Sequence, residues 1–103
     1  MVVHVSMAKY KDFAGGRSKE QNLRRAKDLT EELGRTVPTI RRIEVGVNVL
    51  EGRPTDYDVV SYSEYESLDA VQATVKHPKH DELIAFLNEV AEVSHAVTYQ
   101  VDR

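Results

Sequence analysis

The stretch Val75-Lys76-His77-Pro78-Lys79-His80-Asp81-Glu82-Leu83-Ile84 marks a junction at which one helix stops and another starts. Pro78 suits the first turn of a helix, where its missing N–H is no loss and its φ is already helical. His77 then falls at or near the N-cap and His80 in the first turn. Leu83, Ile84 and Leu87 stand three, four and seven residues beyond His80, so the imidazole shares the apolar face of its helix and looks inward. The positive end of the helix dipole disfavours imidazolium and keeps His80 available as a neutral acceptor or base. The same residues also have a plainer reading, with His77 as a capping or packing group and His80 as either a satisfied core histidine or a pocket group. A metal is not expected: His77-x-x-His80 lacks a third ligand, and the chain has no cysteine. No cofactor is expected either.

On either side of this junction the pattern is helical. Ser67 caps a helix with Leu68, Val71 and Val75 on its buried side and Asp69 in its favourable first turn. From Pro78 to about Ala91 the next helix buries Leu83, Phe86, Leu87 and Val90. A last strand, His95 to Val101, closes the chain.

Upstream, the alternation is that of strands. Tyr57 to Ser63 sets Val59, Ser61 and Ser63 on one face and Asp58, Val60 and Tyr62 on the other. Ile40 to Leu50 alternates Ile43, Val45, Val47 and Val49 against Arg42, Glu44, Gly46 and Asn48, and Gly46 there marks a bulge or a close backbone approach. The loop Glu51–Asp56 joins these two strands. Before them, Ser18-Lys19-Glu20-Gln21 is a capping box. The helix it opens carries Leu23, Ala26, Leu29 and Leu33 on one narrow stripe, with Gly34 as its stop and Val37-Pro38 as a loop. Arg24-Arg25 on this helix reads as a solvated face rather than an anion site. The first strand, Val2 to Ala8, sets Val3, Val5 and Met7 against His4, Ser6 and Ala8. Lys9 to Gly16 breaks its pattern.

The order is strand, helix, strand, strand, helix pair, strand. Two split β-α-β units of this kind make an α+β, ferredoxin-like βαββα(α)β fold, a four-stranded antiparallel sheet with helices on one face. At 103 residues the chain is one domain, 1–103. A net charge of −3 with interspersed signs gives no electrostatic footprint for nucleic acid. No apolar run reaches the length of a membrane span, and the N-terminus lacks the basic and apolar regions of a signal peptide, so no membrane partner and a cytoplasmic location are expected. One face of the sheet is a problem for a monomer. Val3, Val5, Met7, Val60 and Tyr62 would meet water there, although burial is worth about 1.5–3 kcal/mol for each aliphatic side chain. The expected cover is a second copy, packed sheet to sheet as a barrel-like homodimer.

Over nearly its whole length the chain resembles the stress-responsive dimeric α/β-barrel (Dabb) proteins. The likeness lies in the first strand leading to Lys9-Tyr10-Lys11, the Pro38 turn before Ile40, Gly46, Tyr57-Asp58-Val59-Val60, Tyr65-Glu66-Ser67-Leu68 and above all His77-Pro78-Lys79-His80. The resemblance implies a homodimer whose sheets face across a shared barrel. Some plant members are polyketide cyclases that close a poly-β-ketone by intramolecular aldol condensation. In those, the histidine at the position of His80 is the general base, assisted by a tyrosine three residues before the first histidine of the motif; this chain has Thr74 there. A histidine near the start of the third strand is replaced by Val59, while His4 matches the first-strand histidine.

Two expectations follow. In the first, the protein is a stress-responsive-type dimer that is non-catalytic or binds a small molecule. In the alternative it is a polyketide-cyclase-like enzyme of aldol or proton-transfer type, with His80 as base and His4 or Tyr57 as helper. In both, the resemblance turns His4, Ser6 and Ala8, with Val59, Ser61 and Ser63, toward the helices. These groups are small or polar for a tight core, so a ligand pocket is expected beneath the helices. Val71, Thr74, His77, Leu83 and Leu87 complete its expected lining, with Tyr57 at its side. The opposing possibility is that Leu23, Phe86 and Leu87 collapse into the space.

Overall fold

Alternation of small and apolar residues makes Val2–Tyr10 the strand β1, and the computed structural model places it at the centre of the sheet. The structure describes residues 1–50, 53 and 55–102. The turn residues Glu51, Gly52 and Pro54, expected to lie in a loop, are outside the described residues. After β1 come the two-residue strands β2 (Phe13–Ala14) and β3 (Arg17–Ser18), helix α1 (Lys19–Thr36), β4 (Arg42–Val47) and β5 (Val59–Tyr65). The chain then forms α2 (Leu68–Val75), α3 (Pro78–Val90) and β6 (Ala91–Gln100). The main sheet has the order β4-β5-β1-β6, with every neighbouring pair antiparallel. This is the ferredoxin-like fold.

The caps form where the side chains suit them. Ser18 and Gln21 complete a reciprocal capping box on α1, and Ser67 caps α2 by accepting from the Ala70 amide. Gly34 does not stop α1, which runs on to Thr36. A Cβ at Gly34 would strike the Ile43 side chain, so this glycine is there for close packing of α1 on β4. Gly46 likewise sits in regular register opposite Val60, a close approach and not a bulge.

Between β1 and α1 the chain makes a small hairpin. Gly15 and Gly16, at φ of 60° and 75°, form its two-residue turn in the left-handed region that glycine adopts without steric cost. Asn22, fully buried, holds the hairpin to α1: its amide donates to the Ala14 carbonyl at 3.1 Å and its Oδ1 accepts from Arg17 Nε at 2.7 Å.

All four strands of the main sheet have boundaries that differ from the expected ones. β1 continues to Tyr10, whose amide donates to Asp58 Oδ2 at 2.8 Å. Asp58 also donates its amide to the Ala8 carbonyl at 3.0 Å and accepts at its own carbonyl from the Asn48 amide at 2.8 Å. These bonds occupy Asp58 and delay β5 to Val59. Asn48 Oδ1 accepts from the Leu50 amide at 2.8 Å, a local turn that ends β4 at Val47. At the other end α3 passes directly into β6 at Ala91, four residues before the expected start.

On the helix side, Val2, Leu33, Val37, Ile40, Tyr65 and Leu83 form one buried cluster and Ala8, Tyr10, Ala14, Ala26, Phe86 and Val90 another. The opposite face differs from expectation at Val3, which is 0% exposed within the chain itself and so is not an open position. Its cross-strand partners are Glu64 and Tyr99, large side chains on both neighbours of a small one. Val5 and Tyr62 are half-buried, while Met7 and Val60 are exposed and directly paired. β6 adds Val97 and Tyr99, at 56% and 44% exposure, to this apolar face. Among the described residues no helix is long and apolar enough to cross a membrane.

Candidate functional site

Parity along the strands decides which side chains lie beneath the helices. The pairs His4↔Ser63, Ser6↔Ser61 and Ala8↔Val59 place these six residues on one face. β6 continues that face with Ser94, Ala96 and Thr98 opposite Ala8, Ser6 and His4. Hydroxyl and methyl groups do not fill the space under α1 and α3, and a cavity of about 490 Å³ remains. That volume suits a small organic ligand.

His4, Ser6, Ala8, Val59, Ser61, Ser63, His80, Leu83 and Leu87 all line this cavity. Leu33 of α1, Ile43 and Val45 of β4, and Ile84 of α3 add apolar walls. Four expected lining residues are placed elsewhere. Thr74 is buried at 1% exposure; its hydroxyl donates to the Ala70 carbonyl at 2.9 Å and lies 2.7 Å from Thr39 Oγ1, so it ties α2 to the loop before β4. Val71 packs against the core cluster around Leu33 and Leu83. His77 is the N-cap of α3, its Nδ1 accepting from the Lys79 amide at 3.1 Å. Tyr57 stands against His95, ring centroids 6.0 Å apart, and does not line the cavity.

Other lining residues were not anticipated, including Tyr10, Ala26, Thr30, Tyr65, Ser94 and Ala96. Ala26, Thr30 and Leu33 stand at four- and three-residue spacing on α1, a signal that a threonine on an otherwise apolar stripe carries weakly. Ala96 falls within the expected last strand, but Ser94 becomes legible only once β6 is known to start at Ala91.

The two histidines differ in how they are held. His4 Nδ1 lies 2.7 Å from Thr98 Oγ1 on the paired residue of β6. The His80 ring makes no hydrogen bond among the described residues. His80 owes its place to α3, whose N-terminus is anchored by Pro78, the His77 cap and a 2.8 Å ion pair from Lys79 to Glu32 of α1. Burial lowers the pKa of His4, and the charge of His80 lowers it further. Burial likewise lowers that of His80, against an opposing pull from Asp81. Both imidazoles are therefore neutral at pH 7, and each offers one acceptor and one donor nitrogen. The Tyr10 phenol is pushed up to about 12, first by burial and then by Asp58, and stays protonated. No group of three or more His, Cys, Asp or Glu side chains among the described residues is arranged to hold a metal.

A family model described as the stress responsive A/B barrel domain matches residues 2–101. No curated protein matches. Among solved structures, a dimeric protein of unknown function with a ferredoxin-like fold from Bacteroides fragilis is similar, with 29% identity, a TM-score of 0.78 and coverage of 97% of this chain and 95% of that one. A dimeric ferredoxin-like protein of unknown function from Thermobifida fusca has 15% identity and a TM-score of 0.82, over 97% of this chain and 90% of the other. A hydroxynitrile lyase from Passiflora edulis has 15% identity and a TM-score of 0.81, over 98% and 93%. At that identity the last two likenesses are likenesses of fold.

Proposed function

The chain belongs to the stress responsive A/B barrel domain family, and from that premise we propose that it is a homodimer that binds a small molecule in the cavity between sheet and helices. The observation that carries the reading is His80, an inward imidazole with no hydrogen-bonding partner among the described residues, facing a cavity whose floor is set with Ser6, Ser61 and Ser63. His80 is half-buried, and an imidazole that lines a cavity of this size without a protein partner is open to a ligand. The ligand's polar end lies against the strand hydroxyls and imidazoles, and its apolar body against Leu33, Leu83, Ile84 and Leu87. Support for the dimer comes from the exposed Met7, Val60, Val97 and Tyr99 on the sheet's other face and from the dimeric relatives.

The test is a titration with 4-phenylbutan-2-one followed by imidazole and backbone NMR shifts. Saturable shifts at His80, Ser61 and Ser63 are expected. Their absence at millimolar concentrations of this and related aryl ketones would count against the reading.

A second reading is favoured by the His4 and His80 imidazoles, both with lowered pKa, and the protonated Tyr10 phenol in one lining. In it the site performs proton transfer of the polyketide-cyclase type. His80 removes a proton from carbon next to a carbonyl, giving an enolate and an imidazolium. The enolate carbon bonds to a second carbonyl carbon of the same molecule, and the resulting alkoxide takes the proton back. Tyr10, in the cavity lining, is a candidate donor to the enolate oxygen, a role that Thr74 does not fill.

A further inference from the structure

Charge is absent from the cavity walls. Among the described residues that line it, none is Asp, Glu, Lys or Arg, although such residues make up 30% of the chain. The charged neighbours of His80 in sequence, Lys79, Asp81 and Glu82, lie outside the lining, and Lys79 is engaged with Glu32. Asp58, which approaches β1 from the start of β5, is turned to the Tyr10 amide and to Lys19. What the walls offer instead is serine and threonine hydroxyls, the Tyr10 and Tyr65 phenols, the imidazoles of His4 and His80 and, on the exposed side, that of His95. An ion taken from water into such a site loses hydration and meets no countercharge, whereas a neutral amide, ketone or alcohol exchanges its water for equivalent hydrogen bonds.

We propose that the cavity selects uncharged ligands, recognised through hydroxyl and imidazole hydrogen bonds, and discriminates against carboxylates, phosphates and ammonium ions of the same shape. This rests on the reading of the cavity as a ligand site and adds the chemical class that it admits. Depressed protonation of His4 and His80 works in the same direction, because it withholds the positive charge that an anion would need.

Three probes of nearly equal shape separate the possibilities: 3-phenylpropanamide, 3-phenylpropanoate and 3-phenylpropylamine, each titrated at pH 7.5 into the full chain and followed by NMR shifts at Ser61, Ser63 and His80. The amide is expected to bind at least tenfold more tightly than either ion. A carboxylate or ammonium that binds as tightly as the amide overturns the charge rule and leaves the cavity as a binding site. If none of the three shifts these residues, the cavity reading fails and this proposal falls with it. Ile84→Lys supplies an independent arm, since position 84 is 39% exposed at the edge of the lining and accommodates a long side chain. Once circular dichroism confirms that the variant is folded, the ratio of carboxylate to amide affinity should rise at least fivefold; an unchanged ratio overturns the proposal.

Discussion

His4 Nδ1 and Thr98 Oγ1 are 2.7 Å apart across the β1–β6 pairing, and this contact commits one nitrogen of an imidazole that lines the cavity. The other nitrogen, Nε2, makes no hydrogen bond among the described residues, and its protonation state follows from which partner donates in the bond to Thr98. Thr98→Val should therefore shift the His4 tautomer balance, read from the imidazole ¹⁵N shifts, and cost about 0.5–1.5 kcal/mol of stability. Thr98→Ser should keep the wild-type shifts. Identical ¹⁵N shifts in the valine variant would show that the contact does not set the tautomer.

Acid should destabilise the protein through the same pair. His4 and His80 both have folded-state pKa values lowered from 6.5, chiefly by burial. A group with a depressed folded value binds more protons in the unfolded chain. Its contribution is fully present above pH 6.5 and is lost as pH falls through that value toward the folded ones. The melting temperature should fall as the pH is taken from 7 to below 6.5, and His4→Gln combined with His80→Gln should flatten that part of the curve. A double variant that retains the wild-type slope would assign the acid sensitivity to other groups.

Met7 and Val60, cross-strand partners at 46% and 41% exposure, occupy the centre of the apolar face left open by the helices. Light scattering at micromolar concentration should give twice the chain mass of 11.7 kDa. Val5→Asp should yield monomer or aggregate, because the dimer would bury an unpaired carboxylate. Val3→Ala tests a different property: Val3 is buried within its own chain, so this change should lower stability while the mass stays that of a dimer. A monomeric wild-type protein would remove the basis for the sheet-to-sheet assembly.

The fold was legible because its signals are local and agree with one another: alternation in β1 and β5, the Ser18 and Ser67 caps, and Pro78 opening α3. The β2–β3 hairpin was not, since strands of two residues carry no periodicity and only the Gly15-Gly16 pair announces the turn. Gly34 misled because a glycine near the end of a helical stripe reads as a stop, whereas its lack of a side chain serves the contact with Ile43. Within the cavity, the strand residues follow from parity once a single register is known. Thr74 and Tyr57 do not, because their positions are set by tertiary contacts with Thr39 and His95 that no spacing encodes. Val3 shows the same limit from the other side: alternation puts it on the open face, yet between Glu64 and Tyr99 it is fully buried within its own chain.

His77 and His80 stand three residues apart with opposite duties, and paired variants separate them. The His77 ring accepts the Lys79 amide at 3.1 Å and so satisfies one of the orphan donors at the start of α3. His77→Ala should cost about 0.5–1.5 kcal/mol, the net worth of an ordinary hydrogen bond, and leave ligand shifts in the cavity in place. The His80 ring gives the fold no hydrogen bond among the described residues, so His80→Ala leaves no protein partner unpaired and should lower the melting temperature little beyond the loss of packing beside Leu83 and Ile84. Its effect should fall on binding: the shifts of Ser61 and Ser63 with 4-phenylbutan-2-one should weaken several-fold, and any proton-transfer activity should be lost. His80→Asn keeps a neutral polar side chain but has no basic nitrogen, so it should recover part of the binding and none of the turnover. A fall in melting temperature for His80→Ala with ligand shifts intact would make His80 a core residue and remove the observation on which the proposed site depends.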